Sequence, residues 1–144
     1  MGNQADRSST ALVIAGAQIE ALCRVYDQLA DSHDVQLLSG LFIPAGEFER
    51  FGVRYKGRTA IQNLLESRPS GLKTRHTSSD FQFEVDTAGY VGTGVLNMHV
   101  LHWMEGAEND VETVLATFND EYVLIEGQWK FSRRQAFTQT CIPA

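Results

Sequence analysis

Apolar residues recur at three- and four-residue steps early in the chain: Ile19, Leu22, Val25, Tyr26 and Leu29, with Glu20, Arg24, Asp27 and Gln28 between them. That spacing is one face of an amphipathic helix. Asp31-Ser32-His33-Asp34 interrupts it, and Val35, Leu38, Leu41 and Phe42 make a second stripe, with Asp31 or Ser32 suited to cap the second helix. Pro44 ends the helical pattern. A short strand is predicted over Glu47 to Tyr55, with Gly52 as a bulge or turn. Gly57 opens a third helix on Ala60, Ile61, Leu64 and Leu65, closed by Pro69-Ser70-Gly71.

Beyond Leu72 the period changes to two. Phe81, Phe83 and Val85 alternate with Gln82, Glu84 and Asp86, a half-buried strand with His76 near its start. Tyr90 to Met104 and Val111 to Ile125 read as long strands, with Val95, Leu96, Met98, Val100 and Leu101 apolar on both faces of the first. Glu126-Gly127 is a tight hairpin turn, and Gln128 to Phe137 is the last strand. Helices first and antiparallel strands afterwards predict an α+β fold, three helices packed on one face of a curved sheet around a cone-shaped cavity. The apolar outer positions predict cover by a second copy of the chain.

Composition narrows the partners. The chain has 144 residues, one domain's length, with 43% hydrophobic and 21% charged residues. Residues 1–10 are polar and read as a frayed tail, leaving 11–144 as a single domain. A formal charge of -6 argues against nucleic acid. No apolar run approaches the roughly 20 residues of a membrane helix, and no convincing signal peptide opens the chain. Cys23 and Cys141 stand far apart without metal-ligand spacing, as two reduced thiols in a cytoplasmic protein.

The chemistry left is acid–base. No phosphate loop, HExxH or nucleophile elbow is present, and His33, His76, His99 and His102 show no metal-ligand spacing, so no metal and no organic cofactor is expected. Asp31 sits at the joint of the first two helices, His76 follows Lys73-Thr74-Arg75, and Tyr26 lies on the first helix. A carboxylate holding one imidazole nitrogen leaves the other to take a proton, and a tyrosine hydroxyl can steady an oxygen. Each residue also has a plain structural role: Asp31 as a cap, His76 as a strand histidine, Tyr26 as core. Counting by twos places His76 with Gln82 and Glu84, away from Phe81 and Phe83. A bulge at Ser78-Ser79-Asp80 is needed to aim it inward.

Tyr26-x4-Asp31-x2-Asp34, Leu41-Phe42, Tyr55-Lys56-Gly57-Arg58-x-Ala60-Ile61, Thr74-Arg75-His76 and Asn119-x-Glu121-Tyr122-x4-Gly127-x-Trp129-Lys130-Phe131, in that order, resemble the SnoaL-like branch of the NTF2-like superfamily. The resemblance runs from about Gln18 to Phe137 and implies the cone-shaped α+β barrel. Within that branch, scytalone dehydratase, bile-acid 7α-dehydratase and hexachlorocyclohexane dehydrochlorinase are nearest in pattern.

Carried over, their Asp–His pair for cofactor-free elimination falls on Asp31 and His76, with Tyr26 and His99 as assisting groups. Phe48, Tyr55, Asn97, His102, Phe118 and Asn119 become candidate substrate contacts. Ala30 and Phe48 stand where scytalone dehydratase has tyrosines, and Val123, Leu124 and Ile125 offer no counterpart to the dehydrochlorinase's arginine. The implied function is a cofactor-independent lyase or isomerase on a small apolar cyclic hydroxyl or carbonyl compound, in a homodimer or trimer. A non-catalytic small-ligand binding or assembly subunit and a polyketide cyclase-like enzyme are the alternatives.

Overall fold

A computed structural model describes the backbone of residues 4–143 and the side chains of residues 9–141. In chain order the elements are α1 (Gln4–Ser32), α2 (Val35–Ser39), β1 (Phe42–Arg50), β2 (Val53–Lys56), α3 (Arg58–Glu66), β3 (Leu72–Val85), β4 (Val91–Met104), β5 (Glu112–Ile125) and β6 (Gln128–Pro143). The strands form one six-stranded sheet in the order β2-β1-β6-β5-β4-β3. Only β1 and β6 run parallel, and every other neighbouring pair is antiparallel. The three helices pack on one face of this curved, α+β sheet. Among the described residues no helix is long and apolar enough to cross a membrane.

Several boundaries differ from the pattern-based expectation. Residues 4–10, expected as part of a frayed tail, belong to α1, since neither proline nor glycine interrupts the chain between Gln4 and Gly16; residues 1–3 lie outside the described residues. Helix α1 also continues through Asp31 to Ser32, so neither residue caps the second helix. Asp34 does, its Oδ1 accepting the Leu37 N–H at 3.2 Å. Helix α2 stops at Ser39, and β1 starts at Phe42. The segment expected as one strand around Gly52 is a hairpin: Phe51 and Gly52 both have positive φ, 50° and 74°, the backbone of a two-residue type I′ turn. Glu126 and Gly127, at 51° and 76°, close the last hairpin the same way. Strand β3 begins at Leu72, ahead of the alternating segment, and β6 extends beyond Phe137.

The core lies between α1 and the concave sheet face. Ile19, Tyr122 and Phe131 have no exposed surface, and Leu38, Phe42, Leu96 and Met98 are buried around them. Phe131 packs against Phe42, Tyr122 and Tyr26, with ring centroids 5.2, 5.6 and 5.8 Å apart. A Cβ at Gly94 would lie 2.6 Å from the Tyr122 Oη and 2.8 Å from Phe83 Cδ1, so only glycine lets those two rings meet across β4.

Inside this apolar packing sits a complete ion pair. Arg134 is fully buried, with Nε 2.9 Å from Asp120 Oδ1 and Nη2 3.1 Å from Oδ2. Tyr122 donates its hydroxyl to Asp120 Oδ2 at 2.7 Å. The guanidinium lies over the rings of Tyr26, Phe131 and Phe118, at 4.2, 4.4 and 4.7 Å. Burial works against the Arg134 cation, and Asp120, Cys23 and Tyr26 together more than offset it; burial and Asp120 together push the Tyr122 phenol upward. Cys23 beside them is pushed up to about 11 by burial, which keeps it a thiol.

Removing one partner of such a pair leaves an unpaired buried charge. Asp120→Ala is expected to lower the unfolding free energy by about 3–5 kcal/mol in equilibrium urea denaturation. The double variant Asp120→Leu/Arg134→Met is expected to lose less than the single one.

Candidate active site

Strand β3 is a sheet edge: it pairs with β4 alone, so every second amide points away from the sheet. Helix α1 lies along that edge and supplies acceptors. Asp31 accepts the His76 N–H with both oxygens, at 2.9 and 3.1 Å, and Asp27 Oδ2 accepts the Ser78 N–H at 3.0 Å. The spacing matches because four helical residues rise about 6 Å, close to the roughly 6.6 Å spanned by two strand residues.

The same contact builds the dyad. His76 Nδ1 lies 2.7 Å from Asp31 Oδ1, to which Thr74 Oγ1 also donates at 3.1 Å. Asp31 thus receives a ring nitrogen, a hydroxyl and an amide, all from one strand. Arg68 ties the neighbouring chain ends together, donating to the carbonyls of Ala30 at the end of α1 and Leu72 at the start of β3.

A bulge turns His76 inward. The β3–β4 register shifts between Ser79 and Gln82, and Asp80 has φ 54°. Thr74, His76 and Ser78 face the helices before it, and Phe81, Phe83 and Val85 face them after it. One extra residue exchanges the two faces of the strand, which resolves the conflict between His76 and the alternation downstream.

His76 lines a cavity of about 330 Å³ between the helices and the sheet. The imidazole keeps 17% of its surface exposed, sheltered but open to a ligand, and the Asp31 side chain behind it keeps 22%. Tyr26, Phe48, Phe118, Met98 and Val100 form much of the wall. Burial pushes the Tyr26 phenol up, so it stays a hydroxyl at neutral pH, and no described residue hydrogen-bonds it.

Of the candidate residues, Asp31, His76, Tyr26, Phe48, His102 and Phe118 come together here. The others do not. His99 points to the outer sheet face, where Nε2 shares a 2.5 Å hydrogen bond with Thr113 Oγ1. The strand's two-residue period sends it opposite to Met98, Val100 and His102, so it cannot assist His76. Asn97, also outward, donates to Asp80 Oδ2 at 2.9 Å and braces the bulge. Asn119 is exposed on an outer groove beside Arg133 and Gln135. Tyr55 packs at the edge of the core. Thr74 joins the site because it shares the face of His76 two residues away, which the strand period signals; Arg50, Arg68 and His33 line the cavity without any periodic signal.

Among the described residues one group could hold a metal. His102, Glu112 and Cys141 bring one ligand atom each within 4.8 Å of one another, and His102 Nε2 lies 3.4 Å from Glu112 Oε2. The grouping arises from the register of β4, β5 and β6, which residue spacing along the chain does not reveal.

With this fold and geometry the chain belongs to the family of SnoaL-like domains, whose family model matches residues 13–135. Solved structures share the fold. A putative scytalone dehydratase from Novosphingobium aromaticivorans superposes with a TM-score of 0.82 at 21% identity, covering 92% of this chain and 89% of that one. A hexachlorocyclohexane dehydrochlorinase from Novosphingobium barchaimii gives 0.78 at 20%, over 92% and 91%. ActVI-ORFA from Streptomyces coelicolor gives 0.74 at 18%, over 85% and 96%. At these identities the likeness establishes the fold alone. No curated protein matches the chain by sequence.

Asp27 holds the strand next to the dyad at an electrostatic cost. It is 7% exposed, its Oδ1 has no partner among the described residues, and burial raises it from the reference 3.8 despite the bonds from Ser78. A carboxyl raised in the folded state costs nothing below its unfolded pKa, and the stability lost to it grows from there as pH rises through its folded value. Asp27→Asn is therefore expected to gain stability relative to the wild type between about pH 4 and pH 7. Urea unfolding of both proteins at the two pH values measures the change.

Proposed function

We propose that the chain is a cofactor-independent lyase or isomerase acting on a small, largely apolar cyclic compound with a hydroxyl or carbonyl group. The observation carrying this reading is the 2.7 Å contact between Asp31 and His76 Nδ1 at the wall of a sheltered cavity. A binding module or an assembly subunit needs no such contact. The names of the structural neighbours, a putative scytalone dehydratase and a dehydrochlorinase, point the same way.

With Nδ1–H donated to Asp31, neutral His76 presents the Nε2 lone pair to the cavity. It takes a proton from carbon, and the C–H electrons form the new double bond. In a dehydration the C–O bond breaks, and the proton on Nε2 passes to the departing hydroxide to give water. In an isomerisation the same proton returns to a different carbon. Asp31 stabilises the imidazolium between these steps. Tyr26 donates a hydrogen bond to the oxygen that gains charge and keeps its own proton. His102 replaces His99 as the second imidazole of the site. The outward Val95, Leu115 and Phe137, 42%, 39% and 47% exposed, suit an interface with further copies of the chain. The free thiols Cys23 and Cys141 fit a reducing cytoplasm.

The test is a panel of cyclic β-hydroxy ketones, with enone formation followed by absorbance. Asp31→Asn is expected to reduce kcat/KM about 10²–10⁴-fold. His76→Ala is expected to abolish turnover with an unchanged circular dichroism spectrum. Full activity in His76→Ala refutes the mechanism.

A further inference from the structure

We propose that Arg50 forms an anion subsite in the cavity, and that the substrate is a cyclic compound bearing a carboxylate. This rests on the catalytic reading above, with His76 at the reacting end, and adds the group by which the substrate is held. The first observation is one of sign. The chain carries 18 acidic residues against 12 basic ones, yet the cavity wall includes Arg50, Arg68, His33, His76 and His102 and no aspartate or glutamate. Asp31, the carboxylate behind the wall, is already engaged by Thr74 and His76.

The second observation separates Arg50 from the other cations there. Arg68 is occupied by two carbonyl groups, and His33 donates Nε2–H to the Leu65 carbonyl at 2.9 Å. His102 lies against Glu112. Elsewhere Arg24, Arg54, Arg133 and Arg134 each meet a carboxylate, and Arg58 meets the Phe42 carbonyl. Arg50 is half-buried and has neither a carboxylate nor a hydrogen-bond acceptor among the described residues; its guanidinium lies 5.9 Å from the Phe51 ring centroid. Its nitrogens still reach solvent, and their five donors, without a partner among the described residues, match a carboxylate in a two-pronged contact.

The third observation is position. Arg50 ends β1 two residues after Phe48, on the same cavity-facing side of the strand. Its charge also acts on Tyr26, opposing part of the effect of burial on the phenol. A carboxylate on Arg50 therefore lies near the Tyr26 side of the cavity, with the apolar ring among Phe48, Met98 and Phe118.

The test compares binding of 2-naphthoate and its uncharged methyl ester by calorimetry at fixed ionic strength. The wild type is expected to bind the acid about 10-fold or more tightly than the ester. Arg50→Gln should bring the two within about 2-fold by weakening the acid alone. Arg50→Lys, which keeps the charge and loses the fork, should retain part of the preference and controls for folding. Equal affinities in the wild type, a preference surviving Arg50→Gln, or no saturable binding of 2-naphthoate each overturn the proposal. His76→Ala separates the two readings: it should retain the preference for the acid, whereas the catalytic reading fails only if that variant still turns substrate over.

Discussion

Helix α1 and strand β3 meet where the sheet runs out of partners, and the free amides of that edge determine how the site is built. An edge strand must satisfy or shield its outward N–H groups. Here two carboxylates one helical turn apart do so, Asp27 on Ser78 and Asp31 on His76. Because Asp31 grips the main chain of the same residue whose ring it orients, backbone and side chain of His76 are fixed by one group. The imidazole needs no loop to position it, and an active site built on regular elements holds its geometry closely.

Behind the cavity a second polar assembly does the opposite work. Arg134 and Asp120 leave no charge exposed and fill the space between Tyr26, Phe118 and Phe131 with a flat, paired cation. Phe118 and Tyr26 are therefore wall residues on one side and ring partners of a buried guanidinium on the other. The floor of the cavity is stiffened by an interaction that contributes none of its own chemistry, and its rigidity depends on both ions staying paired.

Much of this was legible along the chain. The hairpin at Glu126-Gly127, the third helix after Gly57 and the long antiparallel strands come from turn residues and period. So does the bulge: His76 could face inward only if the alternation slipped between Ser78 and Asp80, and Asp80 takes the left-handed backbone that does it. The errors have physical sources too. Asp31, Ser32 and Asp34 are all good caps by type, and only the continuation of α1 selects Asp34. Strand β4 is apolar on both faces near its middle, so alternation did not reveal that His102 faces the cavity and His99 does not. Arginine and aspartate read as surface residues, which hid the Arg134–Asp120 pair.

The charges of the site also fit together. A general base that takes a proton becomes a cation and needs a carboxylate close by. A carboxylate open to the cavity would repel any acidic substrate. Turning Asp31 toward β3, where amide, hydroxyl and imidazole occupy it, meets both demands. In the proposed reading its charge supports His76, while Arg50 sets the sign met by an entering ligand. An acidic surface around a cationic pocket slows the approach of anions, so the selectivity of such a site resides in the bound complex rather than in encounter. In the proposed function, then, charge is read through contact at Arg50 and the chemistry falls to His76.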